Sequence, residues 1–375
     1  MTKEDLGKNL RRLMKNKGFS ILELEGLSRV SRATISNILN ANADPSFSTL
    51  QKIALALEVT QQELFAERPV LKSLRFRTNK NLTAREKAAK DTLLFTVYDK
   101  LSLYKQFDKY SIKKDYIDFS SFSKNPTEAA HQLREKLKVF PLLPISNFCG
   151  HLCELGIKQF YFNFGLSKTF GLSVNKEDGG PAIFVNVGTA NVERWIFTMF
   201  HEAGHIILHP ESYNGEIQEE NVKSKEETDA DDFASEFLLP KKAVYERVMG
   251  TKNFSFIEKV FELKRAYSVS YKTVLKQYCK AYQRKYNDVL PKFQGMYKNW
   301  KKHDFKDYYE PEAIEKGSFI FEDVNFRNCV YEAVKNDDLE IEKAARLLNR
   351  EKEEFQKAYD DFYNRESIIC DNIPF

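Results

Sequence analysis

Two histidines four residues apart, with a glutamate directly after the first, stand at His201-Glu202-Ala203-Gly204-His205. They lie inside an apolar-periodic run of Trp195, Ile196, Met199, Phe200, Ala203, Ile206 and Ile207, which predicts one amphipathic helix. Residues one turn apart on such a helix share a face, so both imidazoles can reach one tetrahedral Zn²⁺ at about 2.1 Å. Glu202 falls beside them, placed to take a proton from water, and the pattern is that of a zinc hydrolase.

A third protein ligand is needed, and His209 is the nearest candidate in sequence. A straight helix sets His209 about 12 Å from His201, too far for one ion. The ligand must come from another segment. Residues 226–240, EETDADDFASEFLLP, place Glu227, Ala230, Asp231 and Ala234 on one helical face. Glu227 then completes a His₂Glu set, Asp231 one turn on orients a ligand histidine, and the two small alanines let the helices approach closely. Glu226 and Asp229 are alternative ligands. Ten acidic residues against two basic ones between 211 and 236 would suit a solvated helix, but Ala230, Phe233, Ala234, Phe237 and Leu238 form an inward face. Inward packing makes Glu227 and Asp231 costly unless they are paired.

The run VERWIFTMFHEAGHIILH, followed by ETDADDFASEFLLP, resembles the ImmA/IrrE family of metallopeptidases over about residues 140 to 280. Arg194, Phe197 and Thr198 match that family's lead-in to HExxH, and Glu227, Ala230, Asp231, Phe233 and Ala234 match its ExxA(N/D)xFA tail. The resemblance implies His201, His205 and Glu227 as zinc ligands and Glu202 as base. It further implies action on partner repressors that carry helix-turn-helix domains. Just upstream, GIKQFYFNFGLSKTFGLSV and PAIFVNV are aromatic, β-branched and broken by glycines, and predict strands and turns. Such a sheet could offer an edge to an extended peptide.

The first 66 residues carry an independent pattern. Ser20 to Glu23 and Thr60 to Glu63 read as capping boxes, and Ser31 as a further N-cap. Leu10, Leu13, Leu24, Val30, Ile35, Ile38, Leu50, Ile53, Leu57 and Leu64 recur at helical spacings, predicting an all-α domain of about five short helices. SRATISNIL and DPSFSTLQKIALALEVTQQELF resemble the Cro/CI-type (XRE) helix-turn-helix family over about residues 5 to 66. That resemblance puts the helix starting near Ser31 in the major groove of double-stranded operator DNA, with Arg32, Ala33, Thr34, Ser36 and Asn37 facing bases or phosphates. The sequence departs from the pattern at three places: Ile21 stands where a glutamine meets phosphate, Glu25 where a small alanine is buried, and Arg29 where the turn has glycine. Such a module can also serve protein contact, which keeps a homodimer in view.

Residues 67–139 read as a basic linker and helical region: KSLRFRTNK at 72 to 80 suits a DNA contact or a solvated linker, and AREKAAKDTLLFTVYDKLSLYKQF has helical spacing. The metallopeptidase domain is expected over 140–282 and a helical region of unassigned role over 283–375. The fold class expected is mainly α with a small β-sheet. At 375 residues, 42% apolar, the chain can build two or three packed domains, and its net charge of +4 selects no partner. Five cysteines without a framework suit reduced thiols in a cytoplasmic protein, Cys149 and Cys153 being packed on a helix. No signal peptide and no apolar run of about eighteen residues is seen, which disfavours secretion and membrane spanning. The expected function is a DNA-binding regulator with a zinc-dependent endopeptidase domain acting on a repressor or other regulatory protein. The alternative is a transcription factor whose zincin-like domain senses a ligand or partner without hydrolysis.

Overall fold

The computed structural model describes residues 3–65, 71–78, 83–111, 117–188, 191–213, 217–219, 225–250, 254–302 and 310–370. The chain divides into two units, one made of Met1–Leu71 with Leu82–Lys100 and the other of Lys72–Asn81 with Leu101–Phe375. Both are rich in helix, and the sheet belongs to the second.

Five helices build the start of the first unit: α1 (Lys3–Lys17), α2 (Ile21–Ser28), α3 (Arg32–Leu39), α4 (Phe47–Ala56) and α5 (Gln61–Leu64). Local chemistry sets where they begin. The Ser20 hydroxyl accepts from the Glu23 amide while the Glu23 carboxylate takes the Ser20 N–H, a complete capping box. Ser31 caps α3 and Ser46, which the sequence reading passed over, caps α4. Every apolar residue expected in this core is buried there, Leu24, Ile35, Leu57 and Leu64 completely. The side chain of Glu63, and with it the second expected capping box, lies outside the described residues. The long α6 (Ala84–Gln106) crosses the division between units; in its first part Asp99 pairs with Arg12 at 2.7 Å and Phe95 takes the Arg12 guanidinium over its ring at 4.9 Å.

The second unit is organised by β1 (Leu74–Thr78), β2 (Lys158–Phe162), β3 (Gly171–Val174), β4 (Ala182–Asn186) and β5 (Ile217–Glu219), in the spatial order β2-β4-β3-β1-β5. β1 and β4 flank β3 antiparallel, whereas β2 joins β4 and β5 joins β1 in parallel. The strands expected in the aromatic and β-branched stretches upstream of the HExxH helix are present as β2, β3 and β4. β1 is a different matter: the basic stretch read as linker or DNA contact is a strand of this sheet over Leu74–Thr78, while Asn79 and Lys80 lie outside the described residues. Leu74 and Phe76 are buried on one side of it and Arg75 on the other.

One face of the sheet receives α9 (Val192–Leu208), against which α10 (Lys225–Leu238) packs. α9 is buried almost all round, with Ile196, Met199, Phe200 and Ala203 wholly enclosed. α7 (Pro126–Lys136) lies against α10, and its buried Arg134 donates to the carbonyls of Phe237, Phe140 and Leu143, closing the end of α10. On the opposite face Phe160 stacks on Phe184 at 4.6 Å and meets Tyr104 edge-on at 6.2 Å.

Further helices are α8 (Phe148–Glu154), α11 (Lys241–Gly250), α12 (Phe256–Tyr267), α13 (Tyr271–Ala281) and α14 (Tyr286–Lys301). Although expected as a separate C-terminal region, α14 contributes Phe293 and Tyr297 to the same core as α9 and α10. α15 (Val324–Lys335), α16 (Ile341–Leu347) and α17 (Lys352–Cys370) gather, together with Phe107 just past α6, into a smaller core around Tyr331 and Phe355. Cys149 and Cys153, on α8, are buried thiols beside Tyr161 and Gln159, in agreement with packing on a helix. Among the described residues no helix is long and apolar enough to cross a membrane.

Candidate metal centre and DNA-reading helix

α9 begins at Asn191, whose side chain caps the Arg194 amide, and its phase carries His201 and His205 to the side facing α10. α10 presents Glu227 and Asp231 to them. The helices can come this close because Gly204 faces Ala230 and Phe233: a Cβ at 204 would stand 3.0 Å from a Phe233 ring carbon and 3.4 Å from the Ala230 Cα. Ala230 and Ala234 are fully buried, the small residues the sequence placed on that seam.

Three donor atoms converge. His201 Nε2 and His205 Nε2 are 3.1 Å apart, Glu227 Oε2 is 3.3 Å from the first, and Glu227 Oε1 is 2.9 Å from the second. A tetrahedral ion with ligand bonds of about 2.1 Å has ligand atoms roughly 3.4 Å apart, so these three separations approximate one face of such a tetrahedron. Two imidazole nitrogens and a carboxylate, borderline and hard donors together, are a set that suits zinc. Among the described residues this is the one cluster of three or more His, Cys, Asp or Glu groups close enough to share an ion. Of the alternative ligands, Glu226 turns to Arg75 at 2.7 Å and to the Ser212 hydroxyl at 2.7 Å, and Asp229 lies 3.8 Å from His209. Asp231 stands 3.0 Å from His201 Nδ1, the place expected for a group that orients a ligand histidine. His209 is outside the triangle and puts its Nδ1 3.3 Å from His205 Nδ1.

The charges around this triangle are strongly coupled. Burial alone would lower His201, but the Asp231 and Glu227 carboxylates outweigh it and push the imidazole up to about 9. Burial brings His205 down to about 3 against the pull of Glu227. Glu227 would be raised by its own burial, yet hydrogen bonds from the two histidines hold it far below the usual carboxylate range.

Glu202 is buried next to His201, and burial raises its carboxyl above the ordinary value, partly offset by His201 and by a hydrogen bond from Ser173. The Ser173 hydroxyl donates to Glu202 Oε2 at 2.7 Å and is itself held by the Tyr213 hydroxyl at 2.9 Å. The other oxygen, Oε1, points past Gly171, where a Cβ would stand 2.9 Å from it and 2.5 Å from Thr198 Cγ2. Ser173, Tyr213, Gly171 and Arg75 were all missed from sequence. Only Arg75 left a trace there, because the alternation Leu74-Arg75-Phe76-Arg77 has the period of a half-buried strand.

His201, Glu202, His205, Glu227, Gly171 and Arg75 line a cleft of about 190 Å³ whose walls also include Phe170, Phe197, Lys168 and Arg194. The Arg194 guanidinium lies 4.7 Å over the Phe170 ring.

In the first unit, α3 leaves Arg32, Ala33 and Asn37 exposed, while Thr34 and Ser36 are half-buried. The Thr34 hydroxyl is 2.9 Å from that of Ser31. Two of the departures from the helix-turn-helix pattern have visible local consequences. Arg29 adopts the left-handed conformation, φ 56°, that glycine takes without cost, and Glu25 accepts the Arg32 N–H at 2.8 Å, setting a carboxylate at the start of α3. Ile21 packs against the core of the unit.

Comparison with known families agrees with both patterns. Residues 153–277 match the peptidase M78 family model, described as the IrrE N-terminal-like domain, and residues 10–64 match a helix-turn-helix family model. No curated protein matches the chain.

Proposed function

From a chain that joins an XRE-type helix-turn-helix domain to an IrrE N-terminal-like domain of the M78 peptidases, we propose a DNA-binding regulator that is also a zinc-dependent endopeptidase. The observation that carries this reading is the triangle of His201, His205 and Glu227 with the buried Glu202 alongside. A site built only to hold an ion has no use for a neighbouring base, and it would spend a fourth Cys or His on closure. The substrate proposed is a repressor or other regulatory protein of the helix-turn-helix class, brought near by shared operator DNA.

Zinc, when bound, polarises a carbonyl and makes water a better nucleophile at neutral pH. His201, His205 and Glu227 would hold it, and Asp231 would fix the ring plane of His201. Glu202 takes the proton from the attacking water; its raised carboxyl affinity for protons, a product of burial, suits it to accept one and then pass it to the departing amine. Ser173, itself held by Tyr213, occupies Glu202 Oε2 and leaves Oε1 for that exchange. On the DNA side, Arg32, Ala33, Thr34, Ser36 and Asn37 of α3 are proposed to meet the major groove, the exposed Arg32 and Asn37 reaching furthest.

The test pairs the native chain with Glu202→Gln, measuring zinc bound per chain and cleavage of a purified helix-turn-helix repressor encoded beside it. Cutting by the native chain only, with zinc retained by both, is the expected result. If neither cuts while both bind zinc and operator DNA, the chain is a non-hydrolytic sensor and the peptidase reading is wrong.

A further inference from the structure

Arg75 reaches the metal centre from a segment that neither family match includes, 152 positions before Glu227. Its strand pairs Arg75 with Ser173, so the two side chains leave the sheet on the same face, toward α9 and α10. Ser173 goes to Glu202. Arg75 goes to α10, where Nη1 donates to Glu226 Oε2 at 2.7 Å and Nη2 to Glu227 Oε1 at 3.1 Å. The Arg75 side chain is only 3% exposed, and a buried guanidinium is held there by such pairing.

The Glu227 oxygen that Arg75 holds is the one 2.9 Å from His205 Nε2, leaving Oε2 toward His201. A glutamate has three side-chain torsions to fix before it can serve as a ligand, and an N–H of a rigid planar guanidinium held on one carboxylate oxygen restrains the last of them. A full positive charge beside an ion also repels it, so a mere counter-charge at this place would weaken metal binding. Orientation is the benefit that opposes this cost.

Resting on the zinc reading above, we infer that Arg75 is a positioning residue of the metal centre: β1 delivers it to hold the Glu227 carboxylate in ligating orientation. The sheet strand carried by the segment after the helix-turn-helix domain is therefore part of the metal-binding module. Loss of a group that orients a ligand lowers metal affinity by roughly ten- to a hundredfold.

The experiment compares the full-length native chain, Arg75→Gln and Glu226→Gln. Zinc affinity is read by competition with a chelating dye, the ligand field by the visible band of the cobalt-loaded proteins, and folding of the metal-free proteins by circular dichroism. Arg75→Gln is expected to bind zinc at least tenfold more weakly and to alter the cobalt band, while Glu226→Gln, which removes only the other partner of the fork, stays within about threefold of native. Unchanged or tighter zinc binding by a folded Arg75→Gln with a native cobalt band overturns the inference and leaves the metal centre intact. Equal loss in Glu226→Gln also overturns it, since the ion-pair cluster would then act only as structure. If Arg75→Gln does not fold, Arg75→Lys is read instead, because it keeps the charge and loses the fork: weakening of tenfold or more supports the role and native affinity refutes it. A native chain that binds no zinc removes the proposed metal centre, and the role of Arg75 with it.

Discussion

Lys264→Met tests how α9 is anchored. The Lys264 ammonium is completely buried, donates to Glu193 Oε1 in the first turn of α9 and lies 3.2 Å from Glu310. The carboxylates have other donors: the Ile314 amide gives 2.9 Å to Glu193, and the Tyr271 amide 3.0 Å to Glu310. Methionine fills a similar volume, so the substitution removes the cation with little change in packing. Two buried carboxylates are then left without their counter-charge, a situation that costs about 3–5 kcal/mol. Burial already raises the Glu310 carboxyl, with Lys264 pulling the other way, so its loss raises that group further. A carboxyl whose folded value is raised contributes stability that is full below the unfolded value near 4 and is lost as pH climbs through the folded one. The deficit of Lys264→Met should therefore be largest at pH 7.5 and shrink toward pH 5. Urea unfolding followed by tryptophan fluorescence is the assay, since Trp195 and Trp300, the only two in the chain, both belong to the second unit and are blind to the first. A deficit below about 1 kcal/mol at pH 7.5, or one that does not change with pH, would refute the reasoning.

Gly171→Ala puts a methyl group against Thr198 and Glu202; overpacking of about 1–3 kcal/mol is expected, with a displaced Glu202 lowering the kcat of the proposed peptidase about a hundredfold while binding of the proposed zinc stays native. Native kcat in that variant would show that Glu202 has room to spare. Asp323 is buried, which pushes its carboxyl up to about 6, although the amides of Gln159 and Phe326 pull it down. Its contribution is thus full below about pH 4 and lost as pH rises through 6, and Asp323→Asn should flatten the pH dependence of second-unit stability over that range by about 3 kcal/mol; identical profiles would exclude the titration. In the first unit, Arg29→Gly relieves a left-handed residue and should slow amide exchange in α2 and α3 about threefold, an effect of roughly 0.5–1 kcal/mol. Glu25→Gln removes a carboxylate from the start of α3 and should tighten operator binding severalfold at low salt, read by fluorescence anisotropy; no change would place that end of α3 away from phosphate.

Legibility in the sequence followed the range of each signal. Caps and apolar periods act over one or two turns, and the helices at Ser20 and Ser31, the seam of Ala230 and Ala234, and the helix bearing His201 and His205 were all readable. Glu227 was singled out because helical phase selects one face of α10, and it does lie beside His201 and His205; His209 was set aside by the rise along a straight helix and stands outside that triangle. The strand β1 was not found: its positive charges suggest solvent or phosphate until the partners of Arg75 are known, and those lie on a helix 151 and 152 positions away. Ser173 and Tyr213 are ordinary strand and loop residues in sequence, and only the folded chain brings their hydroxyls in line with Glu202. The region after 283 was read as separate because it lacks a motif, yet Phe293 and Tyr297 are simply far-off members of the core that holds α9.

A common cause runs through the missed polar residues. Each satisfies a buried charge or polar atom that sits on another element, and a polar residue in sequence carries no label for burial. Arg75 beside Glu227, Ser173 beside Glu202 and Lys264 beside Glu193 are all answers to acidic groups on or against α9. An inward-facing acidic residue found by helical phase therefore implies an unseen basic or hydroxyl partner, and the search for it belongs among short alternating segments outside the motif. Leu74-Arg75-Phe76 is one such segment, and Leu172-Ser173-Val174, its antiparallel neighbour, is another.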